Sequence, residues 1–472
     1  MIESEFEIKT SLLQLISSDQ AHQYEIVPNS SEGEVLSLLT FENSKAIQNK
    51  DELELVLGKS IDFEIIDKET FNHLLHSNYR KRRDQAKVLK GNSADFLDEL
   101  LSLSTELDSS DIHIEPYDKR CRVRYRIDGH LVEKFTISKV NYPPLLNKLK
   151  IRSNLDISEK RLPQDGRLRW KNHGKEFEFR VSVLPTLHGE KVVLRLLQND
   201  ADHVELLRLG MNDDQYRTYS EILKRPNGII LISGPTGSGK TTTLYATLKE
   251  LNKIDRNICT VEDPIEYTLE GINQVQVKAD IGLTFAKALR SFLRQDPDVI
   301  MLGEIRDGET AQMAIRAALT GHLVLSTIHT NSSIDTINRL IDMGVPTFLL
   351  SSTLNLSAAQ RLLRKLCPHC KQKQDDLSQV KPPEGYSVKN DHEIYKPVGC
   401  QECHYTGYSG RLAIYELVAI SSAISTEIRK GSDPDKIRES ADHFKSLSEQ
   451  AWYHYTHGTT SLEEVYPLLI QD

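Results

Sequence analysis

The sequence predicts an α/β fold built on a parallel sheet, joined to a mixed α+β domain and a cysteine-bound module. Three observations carry this expectation. An Ile-rich apolar run, Gly228–Ser233, enters Gly234-x-x-x-x-Gly239-Lys240-Thr241 and continues into Leu244-Tyr245-Ala246-Thr247-Leu248, so strand, glycine loop and helix follow one another. Apolar runs at 257–261, 299–302 and 322–327 end in acidic or polar residues, as strands of an open α/β sheet do where they face a ligand. Two CxxC pairs, Cys367/Cys370 and Cys400/Cys403, lie downstream.

At 472 residues the chain exceeds one ordinary core, and two to four domains are expected. With 39% hydrophobic and 27% charged residues it reads as soluble and globular. A formal net charge of −9 argues against a surface built mainly to hold nucleic acid. No apolar run reaches the length that spans a bilayer. The acidic start, Met1-Ile2-Glu3-Ser4-Glu5-Phe6-Glu7, lacks the basic and apolar regions of a signal peptide. The expectation is a cytoplasmic protein whose membrane role is peripheral or through a partner. Six cysteines in a reducing compartment do not read as a disulfide framework.

Residues 1–80 mix apolar patches such as Val35-Leu36-Ser37-Leu38-Leu39 with acidic stretches and show no catalytic spacing. They form either a small docking domain or a plain N-terminal module. A basic linker follows over 81–95, entered through Arg80-Lys81-Arg82-Arg83, which is either a solvated hinge or a contact for an anionic surface. Phe96, Leu100, Leu103 and Leu107 have helical spacing, and the stretch 109–116 breaks that helix. Arg122-Val123-Arg124-Tyr125-Arg126-Ile127 alternates, with Val123, Tyr125 and Ile127 on the core face. Asp128-Gly129 signals a hairpin turn before the next strand. Strands at 177–183 and 191–196 complete a mixed domain over 96–198 with an antiparallel sheet. They present Arg180 and Arg195, each either aimed at a phosphate across an interface or paired with Glu176 or Glu178. A linker at 199–202 leads to a P-loop core at 203–345, and 346–472 is expected to be a helical region holding the cysteine module, 367–403.

The loop Gly234, Pro235, Thr236, Gly237, Ser238 and Gly239 lets backbone N–H groups turn inward around phosphate oxygens. The helix opening at Lys240, Thr241 and Thr242 adds a favourable dipole. Lys240 is placed for the β- and γ-phosphates of a nucleoside triphosphate, and the Thr241 hydroxyl for Mg²⁺. Val299-Ile300-Met301-Leu302-Gly303-Glu304 is a strand ending in a carboxylate, with Gly303 where a metal-binding Asp often stands. Glu304 then acts on Mg²⁺ through water or on the attacking water. Glu262 or Glu266, from Glu262-Asp263-Pro264-Ile265-Glu266, competes for that second task, and spacing does not separate them. His329, after a third strand, is a candidate hydrogen-bond partner of the γ-phosphate. Arg290 and Arg294 share a helical face and serve either a neighbouring subunit or solvent.

Cys367-Pro368-His369-Cys370 and Cys400-Gln401-Glu402-Cys403 are paired knuckles of the kind that hold Zn²⁺ tetrahedrally, though farther apart than in short ribbons. His369 or His404 is the alternative fourth ligand, and a redox-active pair the alternative chemistry. Four thiolates on Zn²⁺ leave two excess negative charges, which Arg361, Arg364, Lys365, Lys371 and Lys373 are close enough in sequence to offset. No open coordination position is evident, so a structural site is expected.

Together these motifs resemble the secretion ATPase superfamily of type II secretion and type IV pilus assembly. The match runs over about 110–416. It takes in Ser110-Asp111-Ile112-His113-Ile114-Glu115-Pro116, Arg161-Leu162-Pro163-Gln164-Asp165-Gly166-Arg167, the P-loop, the acidic box at 262–266 and Gly303-Glu304-Ile305-Arg306-Asp307. The histidine box from Thr320-Gly321-His322 to His329-Thr330-Asn331 and the tetracysteine module complete it. The resemblance implies a RecA-like P-loop ATPase core and a PAS-like domain that packs on a neighbouring core in a homohexameric ring. It also implies that Arg180 and Arg195 reach nucleotide phosphates and that ATP, Mg²⁺ and Zn²⁺ are bound. The implied partner is an inner-membrane platform protein, through which ATP hydrolysis builds a pseudopilus or pilus. The tetracysteine module and the extra N-terminal domain resemble assembly motors more than retraction motors. A ring translocase acting on nucleic acid is the alternative. The acidic balance and the lack of interleaved basic and aromatic residues weigh against it.

Overall fold

The computed structural model describes residues 12, 15–16, 18–32, 35–68, 70–71, 74–75, 87–88, 93–172, 174–197, 205–374, 380, 382–389, 391–400, 402–441 and 444–470. The basic tetrad at 80–83 and the expected linker at 199–202 lie outside the described residues. Two compact units form, residues 1–169 with 179–195 and residues 170–178 with 196–472.

The N-terminal stretch folds around a three-stranded sheet, β1 (Val27–Glu32), β2 (Val35–Thr40) and β3 (Ser60–Ile65). Leu36, Leu38 and Leu39 are buried with Ile26, Phe41, Leu53 and Phe71, which gives this segment a core of its own. The helix Lys50–Leu57 makes the crossover between the parallel strands β2 and β3. It stops at Gly58, whose φ of 64° is the left-handed cap that favours glycine.

The second sheet has seven strands: β4 (Lys87–Val88), β5 (Asp111–Pro116), β6 (Arg120–Ile127), β7 (His130–Ser138), β8 (Gln164–Asn172), β9 (Lys175–Thr186) and β10 (Gly189–Leu197). Their order is β4-β7-β6-β5-β10-β9-β8. Asp128 and Gly129 both take positive φ, 46° and 88°, as the two-residue turn between β6 and β7 needs. Val123 and Tyr125 point into the core, while Arg122 and Arg124 lie on the other face and hold Glu115. The stretch that ends the helix Ser93–Glu106 is not merely a break. It becomes β5, between β6 and β10, with Ile112 and Ile114 buried.

The third sheet uses β11 (Gly228–Ser233), β12 (Ile258–Glu262), β13 (Asn273–Gln276), β14 (Val299–Leu302), β15 (Leu323–Ile328) and β16 (Leu354–Leu366). A small ribbon, β17 (Gln372–Lys373) with β18 (Tyr395–Lys396), precedes the last strand, β19 (Tyr408–Ala419). The order is β13-β12-β14-β15-β11-β16-β19, parallel throughout except for the β16–β19 pair. β11, β14 and β15 are buried along their whole length, which is why they read as unbroken apolar runs. Alternate residues of β11 serve different cores: Ile229 and Leu231 pack in one cluster, Ile230 and Ile232 in another.

The sheet crosses the expected boundary at 345. Residues 346–472 contribute β16 and β19 and are therefore not only a helical region. The first eight residues of β16 are all buried, so no period of two marks it as a strand.

Candidate functional site

The order β12-β14-β15-β11-β16 decides which sequence-distant side chains meet. β11 delivers the glycine loop, where Gly234, Gly237 and Gly239 have φ of 145°, 83° and 86°. At Gly234 a Cβ would fall 2.6 Å from the Gln360 carbonyl oxygen, so no larger residue fits. The helix Lys240–Leu251 starts directly after the loop, with Thr241 and Thr242 exposed in its first turn. Lys240 is buried, and its Nζ donates to the carbonyls of Gly234 (2.7 Å) and Pro235 (2.9 Å). Burial holds this ammonium below its ordinary range, the charge of Arg361 adds to the shift, and Glu304 opposes both. Ser238 Oγ is buried in the loop with no protein partner among the described residues.

β14 and β15 bring Glu304 and His329 to the same edge. Thr327 Oγ1 donates to the Gly303 carbonyl (2.7 Å) and Ile305 N to the Thr327 carbonyl (2.9 Å), which ties the two strand ends together. His329 Nε2 lies 3.5 Å from Glu304 Oε2. Glu304 also accepts a hydrogen bond from Arg306, whose other terminal nitrogen lies 3.8 Å from Asp263 Oδ2. Burial alone would raise the Glu304 carboxyl. The Arg306 guanidinium, helped by His329 and Lys240, outweighs it and holds the group below its usual range.

The three carboxylates that spacing leaves equivalent occupy different environments. Glu262, at the end of β12, is buried and accepts from Tyr245 Oη, Thr260 Oγ1 (2.5 Å) and Gln274 Nε2 (3.2 Å). Glu266 is exposed, and its N–H donates to Tyr245 Oη (3.4 Å). Glu304 alone shares its surroundings with Lys240 and His329.

Sequence reasoning missed Tyr245, Gln360 and Arg361 as parts of this site. Gln360 Oε1 accepts from Thr243 Oγ1 (2.9 Å) in the first turn of the P-loop helix. The parallel register Ser233↔Ala359 places Gln360 and Arg361 beside the loop, a neighbour relation that no local pattern encodes. Arg290 is paired with Glu309 (2.5 Å), and Arg294 donates to the Arg290 carbonyl. Arg180 and Arg195 sit on β9 and β10 and are exposed. Among the described residues Arg180 forms no ion pair, so the pairing with Glu176 or Glu178 does not occur. Arg195 instead donates through Nε to the buried Asp111 (2.8 Å).

The four cysteines of the two knuckles come together, with all four sulfurs within 4.8 Å of one another. Cys367–Cys400, Cys370–Cys403 and Cys400–Cys403 are 3.9, 3.7 and 3.7 Å apart at Sγ. Tetrahedral thiolate ligation at the usual zinc–sulfur length needs edges of about 3.8 Å, so the donor set fits a Zn²⁺ ion. Three of the flanking cations have partners outside the sulfur cluster. Arg361 is at the P-loop, Arg364 pairs with Glu464 (2.6 Å), and Lys371 donates to the Gly458 carbonyl. Backbone N–H groups point at the sulfurs: Gly399 N at Cys370 Sγ (3.3 Å), and Cys400 N and Gly407 N at Cys403 Sγ (3.1 and 3.3 Å).

A mostly parallel sheet whose strand ends carry a glycine loop, a buried lysine, a glutamate and a histidine defines a P-loop nucleoside triphosphatase. The chain matches the family described as type II/IV secretion system protein over residues 88–467, and it belongs to that family. It is 42% identical to type II secretion system protein E of Aeromonas hydrophila over 450 residues, 89% of this chain and 90% of the relative. It is 38% identical to the type IV pilus assembly ATPase PilB of Myxococcus xanthus over 496 residues, 98% of this chain and 87% of the relative. Among solved structures it is similar to the pilus retraction motor PilT with bound ADP, at 28% identity and a TM-score of 0.54. That likeness covers 80% of this chain and 97% of PilT. The chain is an ATP hydrolase of the secretion and pilus-assembly class, which sets aside the nucleic-acid translocase.

Proposed function

We propose that this chain is the subunit of a hexameric ring motor that hydrolyses ATP to drive assembly of a type II secretion pseudopilus or a type IV pilus. It acts through a platform protein at the cytoplasmic face of the inner membrane. The observation that carries the ATPase site is the convergence of Lys240, Glu304 and His329 at adjacent strand ends. ATP lies along 234–242, with Lys240 on the β- and γ-phosphates. The Thr241 hydroxyl and, through water, Glu304 would hold Mg²⁺, which would supply charge neutralisation at the phosphate oxygens. Glu304 orients and deprotonates the attacking water, and His329 hydrogen-bonds the terminal phosphate. Glu262 serves as scaffold, because its oxygens are held by three protein donors. Glu266, on the exposed acidic loop, is a lesser candidate for the same water. The exposed Arg180 and Arg195 suit the phosphates of a neighbouring subunit. Cys367, Cys370, Cys400 and Cys403 hold a structural Zn²⁺. Its similarity both to a type II secretion protein and to a type IV pilus assembly ATPase supports either system. Among the described residues no helix is long and apolar enough to cross a membrane, and contact with the bilayer in this reading is peripheral or runs through the partner.

The test is steady-state ATP turnover of the full chain and of Glu304→Gln, with and without single-stranded DNA or the cytoplasmic domain of a platform protein. Glu304→Gln should turn over roughly 100–1,000-fold more slowly with ATP still bound, and only the platform domain should stimulate the wild type. Stimulation by DNA but not by the platform domain, or a fully active Glu304→Gln, would sink the proposal.

A further inference from the structure

We propose that Arg361 is a positioning residue for ATP turnover, stapling the loop that follows His329 to the first glycine of the P-loop. The proposal rests on the role given to His329 above.

β15 and β16 flank β11 on opposite sides. Arg361 stands on β16, yet its Nη2 donates to the carbonyl of Asn331 (2.8 Å), just beyond the end of β15. Its side chain therefore passes the mouth of β11 from one neighbour to the other. On the way it packs on the loop, since a Cβ at Gly234 would lie 3.2 Å from Arg361 Nη1. Nη1 itself donates to the Gln360 carbonyl (3.0 Å).

Arg361 is 9% exposed, and its guanidinium makes no ion pair among the described residues. Glu416, the acid whose field reaches it, accepts instead from Ser333 N (2.7 Å), Ser333 Oγ (2.5 Å) and Leu447 N (3.2 Å). A buried cation held by carbonyls alone is costly where only packing is needed. Here it does what an apolar side chain cannot: it donates in two directions at once, with the planar fork that lysine lacks. Ser233 Oγ donates to the Ser332 carbonyl (3.3 Å) and Ser357 Oγ to the Ser333 carbonyl (2.6 Å), so the segment after His329 is tied at three consecutive residues. Two of these ties meet the start of the phosphate loop: that of Ser233, which precedes Gly234 in the chain, and that of Arg361, which packs on Gly234 itself.

Without the staple His329 loses its fixed place beside Glu304, and misplacement of a reacting geometry by about 1 Å costs up to about 100-fold in rate. The experiment compares Arg361→Gln, Arg361→Lys, His329→Ala and Arg361→Gln/His329→Ala in the full chain, reading kcat, KM for ATP and affinity for ADP. The expected result is a kcat reduced roughly 10–100-fold in both Arg361 variants, with KM and ADP affinity within about threefold of wild type. The double variant should be no more than about twofold slower than the slower single one. Multiplying losses in the double variant would overturn the staple while leaving His329 its role. Restored kcat in Arg361→Lys would show that charge alone matters, and ADP affinity lost in step with kcat would show a direct part in nucleotide binding; either overturns it as well. An unaffected His329→Ala would remove the role of His329 and the proposal together. Thermal unfolding checks each variant, and if Arg361→Gln does not fold, Arg361→Lys and its double with His329→Ala decide by the same criteria.

Discussion

Replacing Tyr245 by Phe separates the two roles open to Glu262. Tyr245 is fully buried and packs edge-on to Tyr267, with ring centroids 4.5 Å apart. Phe keeps that ring contact and deletes one hydroxyl, which donates to Glu262 Oε2 and accepts from the Glu266 N–H. Burial, reinforced by Glu262, holds the Tyr245 phenol above its usual range, so the donor is present at every working pH. Glu262 is 3% exposed, so water does not replace the lost bond. A hydrogen bond to a charged group contributes about 1.5–3 kcal/mol. At roughly 2–4 °C per kcal/mol for a unit of this size, Tm should fall by roughly 3–12 °C. Differential scanning calorimetry measures this, beside ATP turnover and a parallel Glu262→Gln variant. If Glu262 is scaffold, both variants lose stability, and both keep turnover within about tenfold of wild type. A Tyr245→Phe melting within about 1 °C of wild type, together with a Glu262→Gln that melts normally but is roughly 100-fold slower, would refute the reasoning and make Glu262 the base.

Lys240→Ala removes the loop's own ammonium, and ATP turnover in a coupled assay should drop roughly 100-fold or more, with Thr241 left in place. Cys400→Ser removes one corner of the sulfur cluster, and metal analysis of the purified chain should show about one equivalent of zinc lost relative to wild type. Glu115 offers a pH test. Burial would raise its carboxyl, but hydrogen bonds from Arg124 and Lys191 pull it down to about 2 from the ordinary 4.5. Its folded value lies below its unfolded one, so its stabilisation is complete above about pH 4.5 and fades as pH falls towards 2. Glu115→Gln should therefore narrow the gap in Tm between pH 6 and pH 3, and an unchanged gap would count against the cluster.

Local chemistry that repeats in the chain was legible. Strand β11, its loop and the helix behind it follow from apolar runs, glycines and spacing, and so do β12, β14 and β15 with their polar ends. The cysteine pairs announce their cluster because ligand chemistry fixes their spacing. What depended on which strand lies beside which was not legible. Arg361 follows β16 in sequence towards the cysteines, and only the register against β11 turns it to the P-loop. β16 itself hid because burial on both faces erases alternation. Spacing groups the three carboxylates without separating them, and the hydroxyl that turns Glu262 inward comes from the P-loop helix, seventeen positions earlier. The stretch 109–116 reads only as the end of a helix, because its place between β6 and β10, where Arg195 holds Asp111 and Arg124 and Lys191 hold Glu115, depends on strands distant in sequence.

The β16–β19 ladder closes through Leu366↔Tyr408, and Cys367 N donates to the Gly407 carbonyl (3.0 Å). The cysteine-bearing excursion thus leaves and re-enters the sheet at adjoining points, like a cassette seated in a socket. Its length adds little to the entropy of closing the ladder, which grows only logarithmically with the number of residues enclosed. Residues can be gained, lost or exchanged there with the register of the catalytic strands undisturbed. Ties to the C-terminal segment limit that freedom: Tyr386 and Ile394, inside the excursion, pack with Trp452 and Leu447 of a C-terminal helix, Glu393 N donates to the Thr456 carbonyl and Lys371 to that of Gly458. A replacement for the insert therefore has to supply its own cover for that helix.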